Sequence, residues 1–395
     1  MAGANGSPLK FKKFSDEATS LKVSEAKDKH DYNAVVSDFI PLQRILPDSR
    51  PEVCLVLRYP DDLPPVSVVI PFRNERPSVL LRTVYSVLLH SPARLLREII
   101  LVDDGSNEPD LGSQLDVHVA SLPKVRLIRK AVNVGLMMAR QAGIDASSAD
   151  YFITMDSHME CSPGWLEPVV YRLVQKPKAL VCSNIGSINN DDFGVSPNTE
   201  KFGVAFDFPF FTWNLGQQIA RFTKEYSESR KNNTEPMWIG TVMGMIIAMR
   251  KDWFQQLGGF DPGMHIWGSE QIELSVKVWM CGGEVEMVMW SVGKVGMVNL
   301  FRVAYTWLDQ PYRQVVIDYS GEKPSEVDVG DVSERRALRE ANACHSFHQR
   351  GAAKLCHEGF SYTKRKETKS TIRWECSQRR SENCKGTVTS DNPVS

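Results

Sequence analysis

Between residues 66 and 160, short runs of bulky apolar residues alternate with amphipathic segments. The stretches "PVSVVIPF", "REIILVDDGS", "KVRLIR" and "DYFITMDSH" contain four such runs, and Val and Ile dominate them. Continuous runs of this kind are typical of strands covered on both faces of a sheet. The segments "SVLLRTVYSVLLHS" and "NVGLMMARQAGIDAS" have helical periodicity, and we predict that the second helix begins near Asn133. This alternation predicts an α/β fold.

Polar residues stand at the carboxyl ends of two of these runs. Asp103 and Asp104 end the second run, and Asp156 and His158 end the fourth. Open α/β sheets bind their ligands at this edge. We therefore predict a nucleotide-binding half over residues 66–165, with residues 166–310 completing the sheet and forming the sugar and acceptor half.

The spacing of Asp156 and His158 allows one chemical interpretation and one structural interpretation. Side chains two positions apart at a strand end point the same way, so we predict that Asp156 and His158 chelate one divalent ion and that Ser157 faces away. An oxygen and a nitrogen ligand suit Mn²⁺, with substrate phosphates completing the coordination. The alternative is a capping Asp beside an unrelated His. Likewise, Asp104 can accept hydrogen bonds from a ribose or uracil, or cap the loop before Gly105.

Composition sets the broad class of protein. The chain has 395 residues, 42% of them apolar, and a formal net charge of −1, which argues against general nucleic-acid binding. No apolar run approaches the roughly 20 residues of a membrane span, and the N-terminus has no signal-peptide core. We predict a loose or disordered segment over residues 1–35, a main domain over 36–350, and a small basic unit over 351–395.

Several of these motifs together resemble a known family. "VSVVIPFRNE", "EIILVDDGSN", "NVGLMMAR" and "ITMDSH" resemble GT-A glycosyltransferases, whose mixed central sheet is flanked by helices. "YNAVVSDFIPLQRILPDSRP" and "MHIWGSEQIELSVKVWMCGGEVEMV" resemble the polypeptide N-acetylgalactosaminyltransferases, over about Tyr32 to His348. The resemblance implies transfer of GalNAc from UDP-GalNAc to Ser/Thr of polypeptides, with Mn²⁺ and with retention at the anomeric carbon. This reaction starts mucin-type O-glycosylation.

The resemblance also implies roles for individual residues. It places two residues at the metal, three in the nucleotide pocket, two beside the donor sugar and two at the catalytic centre. These are Asp156 and His158, then Asp104, Arg73 and Asn133, then Gly244 and Gln271, and finally Glu270 and Trp267. Two of them have plain alternatives, because Trp267 can be a core aromatic residue and Arg73 a solvated surface residue.

The sequence departs from the family pattern at two points. The family's third metal ligand is a His, and the corresponding position here is Met297, or Val295 in an ungapped match. A thioether is a soft ligand that suits Mn²⁺ poorly. The loop that closes over UDP and excludes water from the reaction is missing before "VNLFRVAYTWLDQPYR". We therefore expect either a transferase of reduced activity or a non-catalytic pseudoenzyme that binds nucleotide sugar or peptide.

The resemblance further implies a disulfide between Cys281 and Cys344 and a location in the Golgi lumen. Cys54 would be left unpaired, because Trp290 stands where its partner would be. The alternative is that all the cysteines are reduced cytosolic thiols.

The C-terminal segment resembles a FLYWCH-type zinc finger rather than a lectin domain. The matching features are "KLCHEGFSYTKRK", Trp374, Cys376 and Cys384. That family completes its site with a later His pair, which is not found before Ser395. A structural zinc needs four ligands, so we do not expect bound Zn²⁺ in this segment. The alternatives are an unstructured basic tail and a role in nucleic-acid binding, and we do not expect the latter.

Overall fold

A computed structural model gives the fold of the chain. The structure describes residues 3–9, 17–30, 32–48, 50, 52–183, 187–196, 207–211, 217–221, 234–264, 268–288, 337, 354–357, 360–367, 371–376 and 387–391.

The described residues contain α-helices and β-strands, together with two short 3₁₀ turns. The helices are α1 Glu17–His30, α2 Ala34–Ser37, α3 Glu52–Leu55, α4 Pro77–His90, α5 Ser113–Ala120, α6 Leu136–Ala146, α7 Leu166–Gln175, α8 Lys251–Gln256 and α9 Glu270–Met280. The strands are β1 Val66–Phe72, β2 Leu96–Asp103, β3 Val125–Arg129, β4 Tyr151–Met155, β5 Ala179–Ser183, β6 Ser187–Ile188, β7 Val195–Ser196, β8 Asp207–Phe211, β9 Gln217–Arg221, β10 Met237–Trp238, β11 Ile246–Arg250, β12 Glu284–Val288, β13 Lys354–His357, β14 Phe360–Glu367, β15 Thr371–Cys376 and β16 Thr387–Asp391. The 3₁₀ turns are Ala4–Gly6 and Pro109–Leu111.

The centre of the fold is an eight-stranded mixed sheet in the order β10-β12-β5-β11-β4-β1-β2-β3. Strand β1 pairs in parallel with both β2 and β4, and β2 pairs in parallel with β3. Strand β11 runs antiparallel between β4 and β5. The four strands predicted from the apolar runs are therefore confirmed, and the second half of the domain completes the sheet.

Strand β1 is buried along its whole length, which explains its mainly apolar sequence. All seven of its residues are buried. Val69 belongs to a core cluster on one side of the sheet, whereas Val68 and Ile70 belong to the cluster on the other side. Because successive strand residues point to opposite faces, a strand covered on both faces is mainly apolar, and its one buried polar residue, Ser67, donates a hydrogen bond to Glu98.

The first two long helices of the sheet domain follow the predicted pattern, with one change of boundary. Helix α4 begins with Pro77 at its first turn, a position that tolerates the missing amide hydrogen, and buries Leu80 and Val84. Helix α6 begins at Leu136, three residues after the predicted start at Asn133. Gly135 adopts φ 87°, outside the helical range, because the loop before the helix bends toward strand β2.

The N-terminal segment differs from the loose segment that we predicted, in the parts that the structure describes. It contains helix α1, and the backbone amide of Leu9 donates to the carbonyl of Asp192 at 2.8 Å. Lys27 forms an ion pair with Asp191, with Nζ 2.5 Å from Oδ1. These contacts with the β6–β7 hairpin are polar, and a polar composition does not reveal which partners its residues have.

A buried ion cluster joins this N-terminal segment to the sheet domain. Arg44 and Arg82 both pair with Glu160, at 2.6 and 3.1 Å, and the three side chains are 0, 2 and 5% exposed. Arg44 also donates to the carbonyls of Gly3 and Phe193. The cluster therefore joins four separate parts of the chain at one point.

Glu98 connects three elements on the other side of the sheet. Its carboxylate accepts hydrogen bonds from Ser67 of β1 at 2.9 Å, from Arg126 of β3 at 2.7 Å, and from the amide and hydroxyl of Ser148 at 2.7 Å each. Burial alone would raise the pKa of Glu98, but these hydrogen bonds lower it from 4.5 to about 2.

We predict that Glu98→Gln removes a pH-dependent part of the stability. Because the folded-state pKa of Glu98 is depressed, the carboxylate stabilises the fold fully above about pH 4.5, and this contribution disappears as the pH falls toward 2. The difference in unfolding free energy between the unmodified chain and the variant should thus be large at pH 7 and shrink below pH 4.5. Urea unfolding at pH 7, 5, 4 and 3 measures it. A difference that stays constant over this range would contradict the assignment.

The C-terminal segment contains a separate antiparallel sheet in the order β13-β14-β15-β16. Its strands contain four to eight residues.

Among the described residues, none of the helices combines the length and the apolar character required to cross a membrane.

Candidate functional site

Two of the predicted site residues, Asp104 and Asp156, lie at the carboxyl edge of the parallel strands. Asp104 follows β2, Asp156 follows β4, and β1 runs between these two strands, with Phe72 opposite Asp103. Neighbouring strands are spaced about 4.8 Å apart, so the two positions are separated by roughly 10 Å across the sheet. The two carboxylates thus stand at one edge of the sheet, where the sequence placed them.

Asp104 is buried and faces the loop that precedes helix α6. Its two carboxylate oxygens accept hydrogen bonds from the amides of Val134 and Gly135, at 2.7 and 3.0 Å. Asp104 therefore anchors the loop before α6, whereas the turn that contains Gly105 is capped by Asp103, whose Oδ1 accepts from the amide of Ser106 at 2.8 Å. A carboxylate has about four acceptor positions, so this role leaves room for a ligand hydrogen bond as well.

A single buried guanidinium connects the two halves of the site. Arg140 of α6 is 1% exposed and donates to Asp156 Oδ1 at 2.7 Å, to Glu270 Oε1 at 2.9 Å and to the carbonyl oxygen of Gly244 at 2.7 Å. Asp156 comes from the predicted metal motif, whereas Glu270 and Gly244 come from the predicted sugar pocket. The predicted metal and sugar residues therefore share one partner.

Glu270 presents an acceptor that has no protein partner in the described part of the chain. It begins helix α9 after Ser269, which adopts φ 66°, and its Oε2 atom is buried without a hydrogen bond to a described residue. Gly244 adopts φ 81°, and a Cβ atom there would lie 3.5 Å from Glu270 Oε1. Buried polar atoms in native proteins are normally satisfied, so Oε2 is suited to a ligand hydroxyl or a water molecule. Gln271 is buried beside it, and its carbonyl accepts from Thr241.

The loop after strand β4 corrects one step of the sequence reasoning. The strand ends at Met155, so Asp156 and His158 lie in a turn and strand alternation does not orient them. Ser157 does not face away from His158, because Ser157 Oγ and His158 Nδ1 both contact Glu75 Oε2, at 2.8 and 3.1 Å. Convergence of Asp156 and His158 on one point stays a prediction.

Charge interactions in this loop favour an ionised pair. Burial alone would raise the pKa of Glu75, but hydrogen bonds from His158, Tyr32 and Ser157 lower it to about 2. Desolvation alone would lower the pKa of His158, but the hydrogen bond to Glu75 and the charges of Asp156 and Glu75 raise it to about 9. The ring must therefore lose a proton before Nε2 can bind a metal ion.

The described residues supply part of a metal site. With Nδ1 bonded to Glu75, His158 keeps Nε2 for a ligand, and Asp156 keeps Oδ2, which has no hydrogen bond to a described residue. One oxygen and one nitrogen donor fit Mn²⁺. No cluster of three or more His, Cys, Asp or Glu that could hold a metal ion occurs in the part of the chain that the structure describes. Met297 and Val295 lie outside the described residues.

The remaining predicted residues have simpler surroundings. Arg73 follows β1, is exposed, and makes no hydrogen bond or ion pair with a described residue, so its charge is available to a phosphate or a base. Asn133 is exposed and its side-chain oxygen accepts from the amide of Gly135 at 2.9 Å. Trp267 lies outside the described residues, and its role stays a prediction.

Sequence reasoning missed two residues of the site, Arg140 and Glu75. Arg140 lies three residues after Met137 and four before Ile144, on the buried face of α6. A charged residue on an apolar helix face could have indicated a buried ion pair, because a buried charge needs a partner. Glu75 follows the carboxyl end of β1, as Asp104 follows β2. Because ligands bind at this edge of an open α/β sheet, its position was also a signal.

The cysteines are described in part. Cys54, Cys161 and Cys182 are free thiols. For Cys54 this agrees with the prediction. The pairing of Cys281 with Cys344 stays a prediction, because Cys344 lies outside the described residues.

Comparisons with known families agree with this geometry. Residues 67–258 match the family model "Glycosyl transferase family 2", and residues 225–300 match "N-terminal domain of galactosyltransferase". Residues 346–394 match "FLYWCH zinc finger domain". The crystal structure of GalNAc-T7 with UDP, GalNAc and Mn²⁺ superimposes with a TM-score of 0.78 at 29% identity, covering 88% of this chain and 66% of that one. The fold is therefore the GT-A fold of glycosyltransferases.

Curated relatives narrow this class. Polypeptide N-acetylgalactosaminyltransferase 6 of Mus musculus is 36% identical in an alignment of 369 positions that covers 87% of this chain and 58% of the relative. The probable N-acetylgalactosaminyltransferase 7 of Caenorhabditis elegans is 34% identical, with 87% and 60% covered. The chain thus spans about three fifths of the length of these relatives. Its similarity to polypeptide N-acetylgalactosaminyltransferases extends over 87% of the chain, and its C-terminal segment matches the FLYWCH model.

Proposed function

We propose that this chain transfers GalNAc from UDP-GalNAc to Ser or Thr of polypeptides, at a rate well below that of an intact family member. The reaction breaks the bond from the anomeric carbon to UDP and forms a bond to the acceptor hydroxyl oxygen, with retention of configuration. The hydroxyl proton passes to the departing UDP phosphate, so the products are the glycosylated polypeptide and UDP. The compartment that we propose is the Golgi lumen, in keeping with the family.

The observation that carries the proposal is the shared contact of Arg140 with Asp156, Glu270 and Gly244. It connects the carboxyl edge of the nucleotide-binding strands to the start of α9, so a nucleotide and its sugar can bind across one continuous site. Glu270 Oε2 is a buried acceptor suited to a sugar hydroxyl. The likeness to a GalNAc-T7 structure that contains UDP, GalNAc and Mn²⁺ supports the same ligands here.

We assign the other residues as follows. Asp156 and His158 Nε2 would bind Mn²⁺, which when bound would stabilise negative charge on the UDP leaving group. Asp104 and Asn133 shape the loop beside the uridine pocket, and Arg73 can pair with a phosphate. Gly244, Gln271 and Trp267 would complete the pocket for the sugar.

The reduced rate follows from the two departures in the sequence. Met297 or Val295 replaces the third metal ligand, and the closing loop is missing. Two ligands bind Mn²⁺ only with help from the UDP diphosphate, so metal and nucleotide should bind weakly and together. Loss of charge stabilisation at the leaving group is worth several kcal/mol of barrier. The second candidate, a pseudoenzyme that binds nucleotide sugar or peptide, is favoured by the same departures and differs only in the absence of transfer.

Transfer from UDP-GalNAc to a Ser/Thr peptide, with and without Mn²⁺, tests the proposal. We expect slow transfer that depends on Mn²⁺. Met297→His should recover little of the rate, because the closing loop is still absent and water can reach the sugar. Binding of UDP without any transfer would support the pseudoenzyme. Fast transfer by the unmodified chain would show that another residue replaces the missing ligand.

A further inference from the structure

The carboxylate of Glu75 lies between the N-terminal segment and the loop that carries Asp156 and His158. Its Oε1 atom accepts from the hydroxyl of Tyr32 and from the amide of Arg76, at 3.1 Å in the second case. Its Oε2 atom accepts from Ser157 and His158. Four donors fill the acceptor positions of a carboxylate, so the orientation of Glu75 depends on all of them.

Tyr32 is itself held in place by neighbours that lie outside the donor site. Its ring stacks on His30, with the ring centres 5.5 Å apart, and meets the edge of Phe193 at 5.8 Å. The next residue, Asn33, donates its backbone amide to the carbonyl of Asn190 at 2.8 Å. The position of the Tyr32 hydroxyl is therefore set by the N-terminal segment and the β6–β7 hairpin.

We infer that Tyr32 is a positioning residue of the donor site, which acts through Glu75 on His158. The inference rests on the proposed function. Glu75 occupies Nδ1 of His158, so only Nε2 of that ring can reach a ligand, and its direction follows the carboxylate. Histidines that bind metals usually donate their other ring nitrogen to such a carboxylate, and loss of that partner lowers metal affinity about 10–100-fold.

The N-terminal segment thereby becomes part of the donor site, although it supplies none of the predicted ligands. Without the Tyr32 hydroxyl, Oε1 of Glu75 keeps only the backbone amide of Arg76 and the carboxylate can rotate. The ring of His158 then loses its fixed direction, so Nε2 is no longer held in one orientation for a ligand.

The test compares Tyr32→Phe with Tyr85→Phe in the full-length chain. The Tyr85→Phe variant also loses a hydroxyl that contacts a histidine, since Tyr85 Oη lies 3.1 Å from His118 Nε2. This contact joins helix α4 to helix α5 and does not involve Glu75. Calorimetric titration of Mn²⁺ in the presence of UDP gives the affinity, and thermal unfolding without ligands gives the stability. We expect about tenfold weaker Mn²⁺ binding for Tyr32→Phe and unchanged binding for Tyr85→Phe. Glu75→Gln should lower the affinity by about 10–100-fold.

The outcomes separate the inference from the proposed function. If the unmodified chain and Tyr32→Phe bind Mn²⁺ and UDP equally well, the inference is wrong and the proposed function stands. This holds whatever the unfolding temperature of the variant is. Weaker binding by Tyr85→Phe to the same extent overturns it too, because the effect would then be general. A failure of the unmodified chain to bind either ligand overturns the proposed function, and the inference with it.

Discussion

Replacing Asp156 with asparagine should lower GalNAc transfer by this chain by about 100-fold or more, that is, abolish the slow transfer that we expect. The variant keeps an oxygen that can accept the hydrogen bond from Arg140, which now measures 2.7 Å, so local packing is retained. It removes the negative charge that would bind Mn²⁺. With only His158 left as a ligand, metal and nucleotide should not bind together.

The matched control is Asp150→Asn at the opposite end of strand β4. Asp150 is exposed and lies just before the strand, whereas Asp156 lies just after it. Initial rates on a Ser/Thr peptide, at several Mn²⁺ concentrations, measure both variants against the unmodified chain. Transfer that survives in Asp156→Asn at the rate of Asp150→Asn would mean that Asp156 only partners Arg140 and that the metal interpretation is wrong.

The second large effect concerns stability, at the buried cluster of Arg44, Arg82 and Glu160. Glu160→Gln keeps the shape of the side chain but leaves two buried guanidinium groups without a negative partner. Breaking a buried ion pair by removing one partner costs about 3–5 kcal/mol. A domain has a total stability of about 5–15 kcal/mol, so the loss should be visible in urea unfolding. Glu160 lies two residues after His158, and the donor site should weaken as well.

Asp252→Asn provides the comparison for that measurement. Asp252 pairs with Arg250 at the surface, where its side chain is 51% exposed. Exposed ion pairs contribute about 0–1 kcal/mol, so this variant should unfold close to the unmodified chain. Equal unfolding free energies for the two variants would show that the carbonyl groups around Arg44 and Arg82 compensate their charge without Glu160.

Local patterns predicted the sheet well, because the periodicity of apolar residues reflects which faces of an element are buried. The four strands from β1 to β4 and helix α4 follow directly from that rule, and so does the position of Asp104 and Asp156 at one edge. The start of α6 was displaced because the loop before it bends to reach Asp104, a contact across about 30 residues that no local pattern contains.

The sequence by itself determined the class of fold and the edge of the sheet at which Asp104 and Asp156 stand, since both depend on local periodicity, and its motifs gave the resemblance to the family. Only the tertiary structure decided which charges are partners. Arg140 meets Glu270 across 130 positions, and His158 meets Glu75 across 83. Every carboxylate offers the same acceptor chemistry, so a sequence cannot tell which one a given Arg or His will contact. The partner of each side chain depends on how strands and helices pack. This packing brings polar residues that are far apart in the sequence into one site.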